Sequence, residues 1–270
     1  MKIAFLGGGN MANALIGGLL AKGFDARAIS VVDVSPAARE RIAAQHGVRV
    51  STAPDAATGG SDVLLLAVKP QDVRAALSGF PANLKEKLVI SIVAGVRLEA
   101  LSRWLDGHRR LVRCMPNTPA LIGAGVSGLY ALAEVGPAER AKAETILGAV
   151  GEVVWLAEER LLDAVTAVSG SGPAYVFWFI EQLAAFAEQS GIPRQHALTL
   201  ALHTVLGAAK LAATSAESPA ELRRKVTSRG GTTEAALEVF DAEQLAQRFA
   251  RALEAARERG AALGDELGKD

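Results

Sequence analysis

Seven residues in the second half of the chain, Thr-Ser-Arg-Gly-Gly-Thr-Thr at 227–233, have the composition of a small-anion site. Four of the seven side chains carry a hydroxyl group, and Gly230 and Gly231 allow backbone N–H groups to converge on one point. The residues that follow have a helical pattern, so these N–H groups would lie at the positive end of a helix dipole. A carboxylate would fit such a turn, although a capped turn without a ligand explains these seven residues equally well.

A second glycine-rich segment, Gly-Gly-Gly-Asn-Met-Ala at residues 7–12, follows a short apolar run at the start of the chain. It fits the G-x-G-x-x-A pattern of dinucleotide-binding turns and leads into a helical segment at residues 13–22. In such a turn the first glycine permits a tight bend, the second lets the pyrophosphate approach, and the alanine lets the helix pack on the strand. The pattern therefore predicts a dinucleotide site that includes Gly7, Gly8, Gly9, Asn10 and Met11.

The acidic residue Asp33 lies at the end of the second predicted strand, where a carboxylate usually binds the ribose hydroxyls of the adenosine. This position favours NAD over NADP. Arg39 and Arg41 are close in sequence, and one of these arginines could neutralise a 2′-phosphate. The repulsion between a carboxylate and a phosphate costs more free energy than the attraction of a distant arginine recovers. Asp33 therefore favours NADH, while use of both cofactors stays open.

Further cofactor contacts are predicted at the ends of later strands, because these edges face the ligand in doubly wound sheets. Lys69 could meet a phosphate or a ribose, or it could be a solvated lysine before a strand-ending proline. Asn117 lies in a rigid polar turn that suits the nicotinamide carboxamide or a substrate edge, and that could equally be a structural bend. The candidates at these edges are Val68, Lys69, Pro70, Ala94, Gly95 and Asn117.

The elements that must position these residues divide the chain into two predicted domains. Short apolar runs alternate with amphipathic stretches over residues 1–157, which is typical of a parallel sheet wrapped by helices and of a dinucleotide-binding domain. From 158 to 270 the β-branched runs disappear, and an all-helical domain is predicted. The predicted strands are 2–6, 28–33, 63–68, 88–93, 111–115, 126–130 and 152–156, and the main C-terminal helices are 173–189, 194–213, 219–226 and 241–266.

Charge and composition argue against several classes of partner. The 29 Lys and Arg residues balance 29 Asp and Glu residues, so no basic field would attract nucleic acid or an anionic membrane. The most apolar segment, 174–187, is interrupted by two polar residues, and no membrane span is predicted. The apolar run at 2–6 is too short for a signal peptide, which indicates a cytoplasmic protein. Cys114 is interpreted as a core thiol, and no metal site is predicted.

Five motifs, in this order and spacing, closely resemble those of pyrroline-5-carboxylate reductases, which catalyse the last step of proline synthesis. The resemblance covers nearly the whole chain. It implies a Rossmann-type doubly wound sheet followed by an all-helical C-terminal dimerisation and substrate-binding domain. It also implies homodimers, often gathered into larger rings, and NAD(P)H-dependent reduction of pyrroline-5-carboxylate to L-proline. The motifs are Phe-Leu-Gly-Gly-Gly-Asn-Met at 5–11, Ala-Val-Lys-Pro at 67–70, Met-Pro-Asn-Thr-Pro at 115–119, Ser-Gly-Ser-Gly-Pro-Ala-Tyr at 169–175 and Val-Thr-Ser-Arg-Gly-Gly-Thr-Thr at 226–233.

The resemblance also implies roles within the 227–233 turn. In that family the turn binds the substrate carboxylate through backbone N–H groups and its serine, and its final threonine reaches the ring nitrogen. Thr233 is therefore the candidate catalytic residue, and the predicted substrate site comprises Ser228, Gly230, Gly231, Thr232 and Thr233. Arg229 replaces the proline that is usual in this turn. Asp33 departs from the neutral or basic residues with which many relatives accommodate NADPH.

The chemistry of an imine suits a chain with few candidate acids. Reduction of C=N needs a hydride at carbon and a proton at nitrogen, and a cyclic imine arrives largely protonated. No strong general acid is therefore required, and the four histidines, which lie outside the motifs, are interpreted as surface or helix-packing residues. The turn at 169–172 is either a helix start or a neighbour of the nicotinamide.

Three other functions compete with this one. A β-hydroxyacid dehydrogenase has a similar plan but needs a lysine near the start of its second domain, and this chain has none between Lys142 and Lys210. A related reductase acting on a six-membered cyclic imine stays open, because pocket walls set the ring size. A non-catalytic dinucleotide-binding protein also stays open, although the intact carboxylate turn argues against it.

Overall fold

The computed structural model describes residues 1–78, 84 and 86–269 of the chain. An eight-stranded sheet occupies its first part, in the order β3-β2-β1-β4-β5-β6-β7-β8. The strands are β1 Ile3–Leu6, β2 Ile29–Val32, β3 Arg49–Ser51, β4 Val63–Leu66, β5 Leu88–Ser91, β6 Leu111–Met115, β7 Gly125–Ala131 and β8 Gly151–Trp155. All seven predicted strands are present, and β3 was missed because its three residues form no apolar run.

Neighbouring strands run parallel except β6 and β7, which pair antiparallel. The expectation of a parallel sheet is therefore wrong at this pair. The physical reason is the connection, since residues 116–124 hold a 3-10 turn and no crossover helix. Parallel neighbours need a crossover of about a dozen residues or more, so this short connection turns the chain back on itself.

Helices cover both faces of the sheet, so the predicted doubly wound architecture is confirmed. Alternate residues of β1 show the arrangement: Ile3 and Phe5 pack in the core that includes α1, and Ala4 and Leu6 pack in the core that includes α4 and α5. The helices of this part are α1 Asn10–Ala21, α2 Pro36–His46, α3 Ala56–Gly59, α4 Val73–Ser78, α5 Leu98–Trp104, α6 Pro137–Leu147 and α7 Leu161–Val165. Ser35, which precedes a proline in the pattern of a helix start, caps α2, because its hydroxyl accepts the N–H of Ala38.

The remaining helices are α8 Gly172–Gln189, α9 Arg194–Thr214, α10 Pro219–Lys225, α11 Thr232–Ala242 and α12 Leu245–Leu267. The prediction of one helix from residue 241 to 266 is wrong at its start. Residue 241 lies in α11, and the chain turns at Gln244, which has a φ of +52°, before α12 begins. No glycine marks this break, so the sequence pattern did not predict it.

Two compact units emerge from the packing. One contains Met1–Ser171 together with Ala256–Asp270, and the other contains Gly172–Ala255. The end of α12 therefore belongs with the sheet rather than with the helices that precede it. The predicted boundary between 157 and 158 stays a prediction; it lies just after the last strand, which ends at Trp155.

Large apolar side chains are exposed on the second unit. On α8, Phe177, Trp178 and Phe186 are 59%, 54% and 72% exposed. Helix α9 is long and apolar enough to cross a membrane, with a mean hydropathy of 1.4 over its best window, of which 11% is buried. The prediction of no membrane span examined residues 174–187 and missed α9. Apolar surfaces of this size are typical of contacts with a partner.

Candidate active site

The first glycine-rich turn connects β1 to α1 at the carboxyl edge of the sheet. Gly7 has a φ of +103°, and a Cβ atom there would lie 2.6 Å from the carbonyl oxygen of Ala67. Gly9 is exposed, and a Cβ there would meet nothing nearer than that same oxygen, at 3.9 Å. Helix α1 begins at Asn10 with no side-chain cap. Its first N–H groups are therefore free for an anion that approaches over Gly9.

A cavity of about 640 Å³ opens beside this turn, at the carboxyl ends of β1, β2 and β4. The strand order reverses between β1 and β4, and ligands of doubly wound sheets bind at this reversal. The cavity brings together five of the predicted cofactor residues, Gly7, Gly9, Asp33, Val68 and Lys69. Its size and position fit the adenosine half of a dinucleotide.

The prediction missed one wall of this cavity, which is formed by residues 52–54, Thr-Ala-Pro. They follow β3, the strand that was also missed. Ser35 and Asp72 line the cavity as well. The sequence signal for this wall was the proline-containing turn at 52–55, which becomes informative only once β3 is placed beside β2.

Asp33 holds the glycine turn through both of its carboxylate oxygens. Oδ2 accepts the backbone N–H of Gly8 at 2.6 Å, and Oδ1 accepts the N–H of Ser35 at 2.7 Å. Each oxygen keeps a second lone pair for a ribose hydroxyl. The carboxylate is thus fixed at the rim of the cavity, and a 2′-phosphate placed there would face a negative charge.

The two arginines near Asp33 are tethered to the backbone. Arg39 Nη1 donates to the carbonyl oxygen of Asp33 at 2.7 Å, and Arg41 Nη2 donates to the carbonyl oxygen of Gly8 at 2.8 Å. These contacts support the turn. They also bring the positive charge of Arg39 beside the backbone of Asp33 and that of Arg41 beside the glycine turn, so a phosphate at this rim would meet charges of both signs.

Other predicted cofactor residues do not line the cavity. Asn117 Oδ1 accepts the N–H of Val126 at 2.9 Å, which stabilises the turn before β7. Gly95 packs against the side chain of Leu267 near the end of α12. The described residues that line the cavity also do not include Gly8, Asn10, Met11, Pro70 and Ala94. The cofactor roles of all these residues stay predictions.

The second glycine-rich turn connects α10 to α11, with Gly231 as the residue that caps α11. Within the turn, the N–H of Gly231 donates to the carbonyl oxygen of Ser228 at 3.0 Å, and the N–H of Gly230 donates to Glu234 Oε2 at 2.6 Å. The two glycine amides that the sequence assigned to an anion are therefore paired within the chain. Thr232 and Thr233 begin the helix, and their N–H groups lie at its positive end.

Three hydroxyl groups surround the same helix start. Within the described part of the chain, the hydroxyls of Ser228, Thr232 and Thr233 have no hydrogen-bond partner, whereas Thr227 Oγ1 donates to the carbonyl oxygen of Arg223 at 2.7 Å. Arg229, between the serine and the glycines, is exposed. The turn thus presents hydroxyl donors, helix N–H groups and one cation, which is the donor set of a carboxylate site.

The motif at 169–175 meets the motif at 115–119 in the structure. Residues Thr166–Gly170 form one turn of π-helix before α8, and a Cβ atom at Gly170 would lie 2.6 Å from Met115 Cε. Ser169 Oγ donates to the carbonyl oxygen of Val165 at 3.1 Å. Single π-helical turns are frequent at functional sites, and this one lies against the end of β6.

Titratable side chains of the core take no part in these turns. Cys114 is buried as predicted, and burial raises the pKa of its thiol to about 12, so it stays protonated at neutral pH. His46 contacts Asn13 Oδ1, and His108 contacts the carbonyl oxygen of Lys87. Burial lowers the pKa of both imidazoles. Neither histidine lines the cavity.

Two family models match the chain. Residues 2–95 match the model described as NADP oxidoreductase coenzyme F420-dependent. Residues 159–263 match the model described as pyrroline-5-carboxylate reductase dimerisation. The first match contains the glycine turn and most of the cavity, and the second begins just after the sheet and contains the second glycine turn.

Curated relatives and solved structures agree along nearly the whole length. The chain is 46% identical to a pyrroline-5-carboxylate reductase of Pseudomonas aeruginosa over 269 residues, which is 99% of this chain and 98% of that protein. The structure of a pyrroline-5-carboxylate reductase from Coxiella burnetii superposes with a TM-score of 0.90 at 38% identity, covering 100% of this chain and 99% of that one. The enzyme of Plasmodium falciparum, solved with NADP bound, superposes at 0.86 and 26% identity, with 98% of each chain covered.

Together, the doubly wound sheet, its cavity and these matches define an oxidoreductase that uses a nicotinamide dinucleotide. Within that class the helical part is specific. The chain belongs to the pyrroline-5-carboxylate reductase family.

The family assignment accounts for the exposed apolar helices. Helices α8 and α9 lie entirely within the residues that match the dimerisation model. The dimerisation match indicates a homo-oligomer, and the exposed Phe, Trp and Leu side chains of these helices suit a subunit contact. A subunit contact would account for the apolar character of α9 as well as a membrane would.

Proposed function

We propose that this chain reduces (S)-1-pyrroline-5-carboxylate to L-proline by hydride transfer from NAD(P)H, the last step of proline biosynthesis. The observation that carries the proposal is the pair of glycine-rich turns. One opens on a cavity that fits the adenosine half of a dinucleotide, and the other presents hydroxyls that are unpaired among the described residues at a helix start. One turn suits the hydride donor, and the other suits the carboxylate of an imino acid. The curated relatives carry this activity in their names.

The residues of the first turn fit a dinucleotide. Gly9 leaves room for the pyrophosphate, and the free N–H groups of α1 would bind it. The two oxygens of Asp33 would accept the ribose hydroxyls. When bound, the dinucleotide supplies the hydride, and the protein orients it and excludes competing reactions. Lys69, exposed at the rim of the cavity, would contact a phosphate or ribose.

A preference for NADH over NADPH is proposed from the same carboxylate. Asp33 cannot turn away from a 2′-phosphate without giving up its bonds to Gly8 and Ser35. Arg39 and Arg41 are held by backbone carbonyls, which limits how far either could move toward that phosphate. We expect kcat/KM to be higher with NADH than with NADPH, and Asp33→Ser to shift the ratio about tenfold toward NADPH. A wild-type preference for NADPH would contradict this assignment.

At the second turn we assign the substrate carboxylate to the hydroxyl of Ser228 and the N–H groups of Thr232 and Thr233. The N–H of Gly231 is assigned to the same function, which would require it to leave the carbonyl oxygen of Ser228. Gly230 would act through the bend it permits. The hydroxyl of Thr233 would bond the ring nitrogen and orient the iminium carbon toward the hydride. A substrate that arrives protonated at nitrogen needs only this orientation.

The working assembly is proposed as a homodimer through the C-terminal helices, with dimers gathered into a larger ring in the cytoplasm. Residues 1–157 would form the dinucleotide-binding domain, and residues 158–270 the dimerisation and substrate-binding domain. Neither nucleic acid nor a membrane is expected as a partner. Light scattering of the purified protein at micromolar concentration tests the assembly, and a monomer mass would contradict it.

The activity is tested by following NADH absorbance with pyrroline-5-carboxylate and with a six-membered cyclic imino acid. We expect turnover with the five-membered ring at a higher kcat/KM than with the six-membered one. A reversed ratio would identify a six-membered-ring imine reductase. NADH binding without turnover on either ring would identify a non-catalytic dinucleotide-binding protein.

A further inference from the structure

The last turns of α12 lie against the loop that follows β5. Gly95, in that loop, has a φ of +77°, and a Cβ atom there would lie 2.9 Å from Leu267 Cδ1 and 3.4 Å from Leu263 Cβ. The two leucines therefore occupy the space beside the glycine. Any side chain larger than hydrogen at residue 95 would have to displace them.

On the helix side of this contact, a second glycine lets the backbone of α12 come close to the loop. Gly264 is buried, and a Cβ atom there would lie 3.3 Å from the carbonyl oxygen of Gly95 and 3.0 Å from Arg97 Nε. The helix and the loop thus meet backbone to backbone. Such an approach leaves the loop little room to shift.

Polar contacts tie the same two segments together across the sequence. Arg97 Nη2 forms an ion pair with Asp265 at 2.9 Å and donates to the carbonyl oxygen of Ala261 at 3.4 Å. Arg103 Nη2 donates to the carbonyl oxygen of Gly268 at 2.8 Å. The guanidinium groups come from the loop and from α5, and the acceptors come from the last two turns of α12. The segment 261–268 is consequently anchored along its whole length.

The loop has a second anchor on the sheet side. The N–H of Leu98 donates to Glu159 Oε1 at 2.8 Å, and that carboxylate also pairs with the buried Arg113 of β6 at 3.2 Å. The start of α5 is therefore fixed independently of α12.

The position of the loop at 94–97 in the sheet indicates a function for its contact with the end of α12. Residues 94 and 95 follow β5, whose parallel neighbour β4 ends at the dinucleotide cavity. We propose that the segment 261–268, through Leu267 above all, is a positioning element for the dinucleotide, because it fixes the loop at 94–95 that would contact it. This inference rests on the proposed function and on the sequence prediction that Ala94 and Gly95 contact the cofactor.

The test is the dissociation constant of NADH, measured by the change in NADH fluorescence on binding. We expect Leu267→Ala to raise this constant about fivefold or more and to raise the KM for NADH with it, since small displacements of positioning groups are costly. The KM for the imine should stay within about twofold of wild type. Leu267→Val, which removes less volume, should give a smaller change in the same direction and serves if the alanine variant fails to fold.

Glu266→Ala is the matched control. Its carboxylate pairs with Arg259 at 2.7 Å on the same helix, so the variant removes an ion pair beside Leu267 without touching the loop. It should leave the NADH constant unchanged. An unchanged NADH constant in folded Leu267→Ala and Leu267→Val, or an equal rise in Glu266→Ala, would overturn the proposal. Because the readout is binding, failure of the wild type to bind NADH would instead count against the proposed function.

Discussion

A carboxylate holds each of the two glycine-rich turns of this chain, but the two carboxylates lie at different distances along the sequence. In each, a carboxylate accepts a glycine N–H at 2.6 Å: Asp33 takes that of Gly8, and Glu234 takes that of Gly230. Asp33 lies 25 residues away, just past the neighbouring strand, whereas Glu234 lies four residues away on the helix that the turn begins. The first turn is therefore held by the sheet, and the second is held by its own helix.

Packing around the turns differs in the same way. Gly7 and Gly8 are buried, with the backbone of Ala67 and the side chain of Ile42 in contact distance. Gly230 is exposed, and a Cβ atom there would meet nothing within 4 Å. The first turn is therefore held by contacts with distant parts of the same chain. Among the described residues, the second turn makes only local hydrogen bonds, and it faces outward with its donors available to a substrate.

The largest expected effect comes from replacing, in each turn, a glycine with a positive φ by alanine. Gly7→Ala combines a φ of +103° with a Cβ 2.6 Å from a backbone oxygen. We expect the free energy of unfolding to fall by about 3 kcal/mol and NADH binding to be lost. Gly230→Ala, at a φ of +69° in open space, should cost only about 1 kcal/mol. Denaturant unfolding measures both, and equal losses would contradict the comparison.

Gly9→Ala is the control within the first turn. Because a Cβ there meets only one atom at 3.9 Å, we expect no loss beyond the cost of about 1 kcal/mol that alanine brings at a helix N-cap. The added methyl group would stand where the pyrophosphate approaches, so NADH binding should still weaken by at least tenfold. Unaltered NADH binding in this variant would show that the dinucleotide does not pass over Gly9.

The next effect concerns the hydroxyl proposed to contact the ring nitrogen. Thr233→Ala should lower kcat/KM for the imine about tenfold or more, because a hydrogen bond made in the transition state contributes about 1.5 to 3 kcal/mol. Thr233→Ser keeps the hydroxyl and should retain most of the activity. Steady-state kinetics with saturating NADH decide the matter. Wild-type kinetics in the alanine variant would remove Thr233 from the mechanism.

Much of the first turn was predictable from sequence because its signals are local. The fingerprint at 7–12, the strand ends and the Ser35 cap each depend on neighbouring residues, and the structure has each of them in place. What failed depends on distant contacts. Strand β3 is defined by pairing with β2, and the antiparallel β7 by the length of its connection.

The second turn was predictable only through the family resemblance. Its residues alone left an anion site and a capped turn equally supported, and the structure contains elements of both. Glu234 supplies the capping bond, and the three unpaired hydroxyls supply the donors. The return of α12 to Gly95 had no sequence signal at all, because glycines at 95 and 264 become informative only when they face each other.

The smallest expected effect tests whether Glu234 supports the second turn as Asp33 supports the first. Removing its carboxylate frees the N–H of Gly230 and loosens the cap of α11, which contributes about 0.5 to 1 kcal/mol in comparable helix caps. Glu234→Ala should therefore raise the KM for the imine about threefold and leave the KM for NADH unchanged.

Two variants on the same helix make that small change interpretable. Glu238→Ala removes an exposed carboxylate one turn further along α11, away from Gly230, and should have no effect on either KM. Glu234→Gln keeps an oxygen that can accept the Gly230 N–H and should recover most of the loss. A lower KM for the imine in Glu234→Ala would reverse the interpretation, because the glutamate would then compete with the substrate carboxylate for the turn instead of holding it in shape.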